Sequence, residues 1–198
     1  MKKIYLTILF IVILSSCSGD KKEISIIQEK EINLQMIEAY NLGMKALEEG
    51  DGLSAAQKFN EAELIFPQSE WASKSSLMSA YSYYKDSYYG DAINELERFI
   101  DVYSKNKNIA YAHYLLGMCY YESIIDEKKD LGPLNKSKKQ FEYLLKNYPN
   151  TDYAADAKFK LDMIQEILAS KEMYIAKHYI KKQKWIAAIN RLKNVINN

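Results

Sequence analysis

Few residues in this chain have the types and spacing that catalysis or metal binding requires. Neither of its two histidines, His113 and His178, has a second ligand four residues further on. The two cysteines, Cys17 and Cys119, lie far apart. The segment 132–137 lacks the glycine that precedes the lysine of a phosphate-binding loop, and no serine-hydrolase elbow or metalloprotease motif occurs. The sequence therefore predicts no catalytic residue, no metal and no cofactor, and we expect the protein not to be an enzyme.

Cys17 is the residue whose surroundings indicate a specific chemistry. Two lysines precede an apolar run, 4–14, which is too short to span a bilayer because a helix needs about 20 residues to do so. A basic flank, a short apolar run and small residues are typical of a secretory signal. The string Leu-Ser-Ser-Cys at 14–17 is similar to the motif at which bacteria attach lipid to cysteine. We predict a signal peptide at 1–16 and lipidation of Cys17; a secretory signal with a chance cysteine is the alternative.

The residues after Cys17 indicate where the anchored chain resides. Ser18, rather than an aspartate, follows the cysteine, as in lipoproteins that are sent on to the outer membrane. We therefore expect an anchor in the outer membrane, with the protein on its periplasmic face. The segment 17–30 is charged and mixed in pattern, so we interpret it as a tether. Cys119 would then have no disulfide partner, and its apolar neighbours predict a buried, unreactive thiol.

Composition favours a helical domain that does not bind nucleic acid. The 198 residues include 27 Lys+Arg and 26 Asp+Glu, and this balance excludes a binder that relies on a basic field. Seven glycines and three prolines are too few for the turns of a many-stranded sandwich or barrel. The 17 tyrosines recur at helical spacing, so we interpret them as core and groove residues rather than as a surface for stacking bases.

Small residues recur at a fixed spacing inside apolar stretches of helical period. Gly43, Ala80 and Gly117 are 37 residues apart, and a second helix with its own small and aromatic residues follows each of them. This pattern is typical of tetratricopeptide repeats, in which two antiparallel helices approach closely at the small residues. We predict an all-α, tetratricopeptide-like superhelical solenoid of about four helix pairs. The predicted repeats are 31–68, 69–105, 106–149 and 150–198.

Two irregularities modify the 37-residue period. The third repeat has eight extra residues within 125–135, where a Gly-Pro pair indicates a non-helical connection. The fourth repeat has fourteen extra residues, which is close to four helical turns and predicts a long first helix over 152–182. This helix is either continuous or kinked. Either a partner covers the last helix or the sequence is incomplete, since no following unit covers its apolar residues Ile186, Ile189, Leu192 and Ile196.

Local strings accompany the repeats and the lipidation motif. They are Tyr81-x-Tyr83-Tyr84-Lys85 with Arg98-Phe99-Ile100, Tyr148-Pro149-Asn150-Thr151-x-Tyr153 with Asp156-Ala157, and Trp185-x-Ala187-x-x-Asn190-Arg191. In this combination the chain resembles the BamD family of lipoproteins, which belong to the bacterial β-barrel assembly machinery. The resemblance covers nearly the whole chain from Cys17 onward. The family pattern predicts a fifth repeat, which the sequence up to Asn198 does not show, so the resemblance does not carry over the contacts that the family makes through that repeat.

The resemblance implies a scaffold for the assembly and insertion of β-barrel outer-membrane proteins. It implies contacts with POTRA domains of the barrel-forming subunit, with other assembly lipoproteins and with unfolded outer-membrane proteins. It places the POTRA contact at Trp185, Asn190 and Arg191. Arginine occurs only at Arg98 and Arg191 against 25 lysines, and its guanidinium offers a bidentate fork for carboxylates. The alternative is an exposed arginine beside a tryptophan buried in the repeat core.

A second surface is expected on the first helix of repeat 2. Tyr81, Tyr84 and Lys85 lie along it, and the first helices of a solenoid line its inner surface. Tyrosines supply rigid contact area, and a lysine can meet a peptide carboxylate. We expect C-terminal segments of unfolded barrel proteins to bind here, with packing between repeats as the alternative for Tyr81.

Two other classes of function compete with this interpretation. A generic envelope or peptidoglycan-associated tetratricopeptide lipoprotein would show the same solenoid without specificity for the assembly machinery. An enzyme on a repeat scaffold is disfavoured because no set of residues could perform the chemistry.

Overall fold

Eight α-helices and no β-strand make up the described part of the chain, residues 26–123 and 131–197 of a computed structural model. The signal peptide 1–16 and the lipidation site Cys17 lie outside these residues, as does part of the predicted insertion. No described helix is long and apolar enough to cross a membrane. The helices are α1 (Ile26–Glu48), α2 (Gly52–Ile65), α3 (Glu70–Lys85), α4 (Tyr89–Val102), α5 (Ile109–Glu122), α6 (Gly132–Asn147), α7 (Asp152–Lys181) and α8 (Trp185–Asn197).

Each helix packs against its neighbours in sequence, so the helices form four consecutive pairs: α1 with α2, α3 with α4, α5 with α6, and α7 with α8. The first helices also meet across pairs, α3 with α5 and α5 with α7. An arrangement in which each pair contacts the next is that of a solenoid. The predicted all-α fold of about four helix pairs is confirmed.

The repeating glycines lie where the two helices of a pair approach most closely. A Cβ atom at Gly43 would lie 2.9 Å from the ring of Phe59, and one at Gly117 would lie 2.6 Å from the ring of Phe141. Both phenylalanines are fully buried. Ser137 Oγ also donates a hydrogen bond of 2.9 Å to the Gly117 carbonyl oxygen, which joins α6 to α5. The fixed spacing in sequence therefore marks repeated close contacts between paired helices.

Helix α1 begins at Ile26, inside the segment 17–30 that the sequence predicts as a tether. The described residues 28–30 are exposed and make up part of this first turn and a half. Gln, Glu and Lys have high helix propensity, and a helix that is already nucleated by its packed part extends at little cost. Mixed charge excludes an apolar face but does not exclude a helix, so α1 begins before the predicted end of this segment.

Helix α7 is one continuous helix of 30 residues, which ends one residue before the predicted boundary at 182. Thr151 caps its start by accepting a hydrogen bond of 3.2 Å from the Ala154 N–H. Ala157 and Ile164 pack in a core cluster with residues of α5 and α6, and α7 also packs against α8. The long helix therefore connects the body of the solenoid to the last helix.

Candidate protein-interaction surfaces

A cleft of about 380 Å³ lies across the first helices of the second, third and fourth pairs, and we call it the tyrosine cleft. Helices α3, α5 and α7 contact one another in this order, which brings residues far apart in sequence to one surface. The residues that line it include Lys74, Met78, Tyr81, Asn108, Tyr111 and Tyr153.

Two tyrosines of this cleft, Tyr111 and Tyr153, contact each other through their rings. The ring centroids of Tyr111 and Tyr153 are 5.3 Å apart, and those of Tyr153 and Tyr114 are 5.5 Å apart. Burial raises the pKa of Tyr111 above its usual range, so its phenol remains protonated at neutral pH. Tyr153 is 37% exposed. Such rings offer large contact area together with a hydroxyl that can donate or accept a hydrogen bond.

Lys74 brings a positive charge to the cleft in a restrained position. Its Nζ atom lies 4.8 Å from the ring centroid of Tyr40 and 4.6 Å from that of Trp71. These rings contact each other edge to face, with centroids 5.1 Å apart. Sequence reasoning missed Lys74 and Tyr111. The available signal is their spacing of 37 residues, which places them at the same position of successive first helices.

The structure separates the three residues predicted to form a peptide groove. Tyr81 lines the tyrosine cleft, whereas Tyr84 and Lys85 do not. Tyr81 and Tyr84 both pack against the core of the second helix pair. Tyr84 is half-buried and lies about 60° around α3 from Tyr81, and it also packs against the core of the third pair. Burial raises its pKa. Lys85 is exposed at the last residue of α3, one turn beyond Tyr81.

The last helix presents Trp185 to solvent. This side chain is 59% exposed at the first residue of α8, and Asn190 is exposed further along the helix. The alternative that places the tryptophan in the repeat core is therefore wrong. Ile186 and Ile196 are also largely exposed, Ile189 is half exposed, and Ala188 fills the buried position. Helix α8 thus carries an apolar outer surface.

Arg191 forms an ion pair within the last helix pair. Its Nη1 atom lies 3.1 Å from Glu172 Oε1 and 3.3 Å from Oε2. Asn194 Nδ2 donates to Glu172 Oε2 at 3.1 Å. The Arg191 side chain is 39% exposed and that of Glu172 is 18% exposed. Arg191 therefore contacts α7 and remains accessible from outside.

A second arginine, Arg98, joins the first two helix pairs. It donates to both carboxylate oxygens of Glu63, at 2.8 and 2.6 Å, and Tyr103 donates to the same carboxylate at 2.7 Å. Burial alone would raise the pKa of Glu63, but the hydrogen bonds from Arg98 and Tyr103 outweigh it and lower the pKa. The two arginines of the chain therefore both make contacts between helices.

The histidine and cysteine inside the solenoid have packing roles. His113 Nδ1 lies 2.8 Å from Gln140 Oε1, and the centroids of the His113 and Tyr143 rings are 4.3 Å apart. Burial lowers the pKa of His113. Cys119 is buried, and burial raises the pKa of its thiol to about 12, which confirms the predicted buried cysteine. The described residues contain no group of three or more His, Cys, Asp and Glu side chains that could hold a metal.

Comparison with solved structures gives the same fold. The chain is similar to the TPR2AB-domain:pHSP90-complex of yeast Sti1, with a TM-score of 0.52 and 18% identity over 81% of this chain and 63% of that one. At this identity the likeness concerns the fold alone. The solenoid is thus tetratricopeptide-like, as the repeat spacing predicts.

Comparison with known sequences concerns the family. The model of a family named YfiO and described as outer membrane lipoprotein matches residues 33–198. A Caulobacter vibrioides protein is 36% identical over 92% of this chain and 59% of its own length, and a Rickettsia prowazekii protein is 38% identical over 80% and 63%. A Neisseria gonorrhoeae protein is 30% identical over 100% of this chain and 78% of its own.

All three relatives are named outer membrane protein assembly factor BamD. The chain spans about three fifths of the length of the first two. The family model covers most of the chain, and the resemblance carried by the local strings is confirmed. The chain belongs to the YfiO family of outer membrane lipoproteins, together with these BamD relatives.

Proposed function

We propose that this protein is a non-enzymatic scaffold for the assembly and insertion of β-barrel proteins at the periplasmic face of the outer membrane. The names of its relatives, outer membrane protein assembly factor BamD, support a role in outer-membrane protein assembly. The observation that carries the proposal is the presence of two open surfaces on one series of helix pairs. These are the tyrosine cleft on α3, α5 and α7, and the apolar outer surface of α8. A scaffold needs two such sites to hold two partners at once.

The outer surface of α8 is the proposed contact for POTRA domains of the barrel-forming subunit. Trp185 and Asn190 are exposed there, and Arg191 is accessible beside them. Tryptophan and arginine are the residue types most enriched among those that dominate binding energies at interfaces. Large exposed apolar side chains on one helix, such as Ile186 and Ile196, favour a protein partner over a small ligand. Other assembly lipoproteins are proposed as further partners of the complex.

The tyrosine cleft is the proposed site for C-terminal segments of unfolded outer-membrane proteins. Strands of membrane barrels alternate apolar and polar side chains, so an extended segment presents an apolar side chain at every second position. Tyr81, Tyr111 and Tyr153 provide rings for such side chains and hydroxyls for the peptide backbone. Lipidation of Cys17 would place the cleft near the membrane into which the substrate inserts.

Site-specific photocrosslinking in cells tests both surfaces together. A photoreactive amino acid replaces Met78 in the cleft or Trp185 on α8, and the matched control replaces Leu64, which is 77% exposed on α2 and lies on neither surface. We expect position 78 to capture unfolded outer-membrane proteins, position 185 to capture the barrel subunit, and position 64 to capture neither. Capture of both partners at position 64, or of neither at 78 and 185, would contradict the proposal.

A further inference from the structure

Another cavity, of about 390 Å³, lies between α4, α5 and α6, where the second and third helix pairs meet. It is distinct from the tyrosine cleft, because His113 lines this cavity and Tyr111 lines the cleft, and the two side chains lie about 160° apart around α5. We call this cavity the acceptor pocket. The residues that line it include Glu97, Ile100, Asp101, His113, Leu116 and Gln140.

The acceptor pocket has two carboxylates without a cation beside them. Glu97 and Asp101 are exposed and lie four residues apart on α4, so they share one face of the helix. Within residues 26–123 and 131–197, neither forms an ion pair with a lysine or an arginine, and neither residue type lines the pocket. Like charges at this spacing repel each other, so a cation bound between them would remove an unfavourable interaction.

His113 adds a buried hydrogen-bond acceptor to the same pocket. It is 9% exposed, and its Nδ1 atom lies 2.8 Å from Gln140 Oε1. An amide oxygen can only accept a hydrogen bond, so Nδ1 is the donor, and Nε2 of the neutral ring keeps a lone pair. Burial lowers the pKa of His113, which keeps the ring neutral at neutral pH. Among the described residues, Nε2 has no hydrogen-bond partner.

The open polar groups of the pocket therefore accept hydrogen bonds. Tyr120 donates a hydrogen bond of 2.6 Å to Glu97 Oε1, which orients this carboxylate and leaves Oε2 for a ligand. A guanidinium has five N–H donors and no acceptor, so it complements Glu97, Asp101 and His113. A metal ion fits less well, since the part of the chain that the structure describes has no group of three His, Cys, Asp and Glu side chains placed to hold one.

The surroundings of the pocket favour a protein as the carrier of this cation. Tyr143 is 41% exposed, and the centroid of its ring lies 4.3 Å from that of His113. Val102, which follows Asp101 on α4, is 57% exposed. Exposed apolar side chains beside a polar pocket gain by contact with neighbouring residues of a partner, which a small cation does not have.

We propose that the acceptor pocket binds an arginine side chain that projects from the surface of a protein partner. The guanidinium donates to Glu97, Asp101 and His113, and the partner residues on either side contact Val102 and Tyr143. Lysine is a poorer ligand, because its ammonium lacks the planar fork of donors. This contact is separate from the tyrosine cleft and from the outer surface of α8, so it adds a third site to the proposed scaffold and does not depend on the other two.

The test uses the peptide Gly-Leu-Arg-Leu-Gly, blocked at both ends, and two matched peptides with lysine or citrulline at the centre. Citrulline keeps the shape of arginine without its charge. The fourth ligand is a single arginine, blocked at both ends. Binding of each fluorescently labelled ligand to the full mature chain in detergent is measured by fluorescence anisotropy. The variants are Glu97→Gln, Asp101→Asn and the two combined, and the control is Glu142→Gln, which removes an exposed carboxylate of α6 outside the pocket.

We expect the arginine peptide to bind the wild type about tenfold more tightly than the citrulline peptide, since charge-assisted hydrogen bonds are the stronger class. The lysine peptide and the single arginine should both bind more weakly than the arginine peptide. Glu97→Gln and Asp101→Asn should each reduce the preference for arginine over citrulline, and together they should abolish it. Glu142→Gln should leave it unchanged. A melt followed by circular dichroism verifies that each variant is folded, and either single variant is sufficient if the double variant is not.

Each other outcome contradicts a distinct statement. Equal affinity of the arginine and citrulline peptides, or a preference that survives in the variants, overturns the pocket as a cation site. Equal affinity of the arginine and lysine peptides overturns the assignment to arginine. A single arginine that binds as tightly as the peptide assigns the pocket to small cations and overturns the protein partner. Binding of none of the ligands overturns the whole inference, while photocrosslinking at positions 78 and 185 still tests the proposed scaffold by itself.

Discussion

Glu172 of α7 holds Arg191 of α8 through a single guanidinium nitrogen, Nη1, at 3.1 and 3.3 Å from the two carboxylate oxygens. Nε and Nη2 of Arg191 have no hydrogen-bond acceptor within the described residues. The ion pair is therefore compatible with a second, external acceptor. It also fixes the side chain, because Glu172 is in turn held by Asn194. Arg191 joins two helices and offers its remaining donors in one orientation.

This geometry distinguishes arginine from lysine at position 191. A lysine at this position could keep one contact to Glu172 but would lack the fork of donors that a partner carboxylate accepts. If the outer donors of Arg191 form a partly desolvated pair with the barrel subunit, its truncation to alanine should weaken that complex by about 2–5 kcal/mol. We expect Arg191→Lys to weaken binding while the melting temperature stays unchanged.

Glu172→Gln is the matched variant for this experiment, since it removes the internal charge and leaves the arginine in place. It should weaken the complex less than Arg191→Ala does. Titration calorimetry with the purified barrel subunit measures both. Equal affinities for wild type, Arg191→Lys and Arg191→Ala would remove Arg191 from the interface.

Gly117→Ala should destabilise the solenoid because the added Cβ would lie 2.6 Å from the fully buried ring of Phe141. Overpacking of this kind costs about 1–3 kcal/mol. Gly90→Ala is the control: it lies in the first turn of α4, and nothing is within 4 Å of an added Cβ. There the better helix propensity of alanine should stabilise the chain by up to about 1 kcal/mol. Urea unfolding measures both, and a neutral Gly117→Ala would contradict the close approach.

Glu63→Gln should lower stability at neutral pH and reduce its pH dependence. The pKa of Glu63 is lowered in the folded state from 4.5, so its contribution is fully present above pH 4.5 and is lost as pH falls through the lower folded value. Breaking a buried pair costs about 3–5 kcal/mol. We expect Glu63→Gln to lower the free energy of unfolding by about 1–3 kcal/mol. This loss is smaller than that of a fully buried pair because the Arg98 side chain is 40% exposed and solvent screens the pair.

The control for this prediction is Glu61→Gln on the same helix, since Glu61 is exposed and pairs with Lys58 at the surface. Its effect should stay below about 1 kcal/mol. Urea unfolding between pH 7 and pH 3 compares the two variants. An identical pH dependence of wild type and Glu63→Gln would show that the pair makes no linked contribution.

Cys17→Ala tests the predicted anchor, which lies outside the described residues. If Cys17 is acylated, the variant should give an uncleaved or soluble product that no longer fractionates with the outer membrane, because lipid supplies the anchoring. Mass spectrometry of the wild-type chain should find the acyl groups on this residue. Unchanged membrane fractionation of the variant, together with an unmodified wild-type chain, would contradict the lipoprotein prediction.

The sequence by itself determined the class of fold and the family. Gly43 and Gly117 could be recognised because a close approach between paired helices requires a small residue, and a repeat places that requirement at a constant spacing. The length of α7 could also be predicted from the sequence, since an insertion of about four helical turns keeps the apolar residues on one face of the helix. Such features depend on contacts between helices that are neighbours in the sequence, so residues close together in the chain determine them.

The composition of the surfaces was decided only by the tertiary structure. Lys74, Tyr111 and Tyr153 share one cleft because three successive first helices meet, and no pattern within one repeat records which side chains face each other there. Tyr81 and Tyr84 both pack against the core of the second helix pair, yet only Tyr81 lines the cleft and only Tyr84 also packs against the core of the third pair, since a rotation of about 60° around a helix changes the surface that a side chain meets. Periodicity specifies which residues face inward, but a binding surface depends on where separate helices bring their outward-facing residues together.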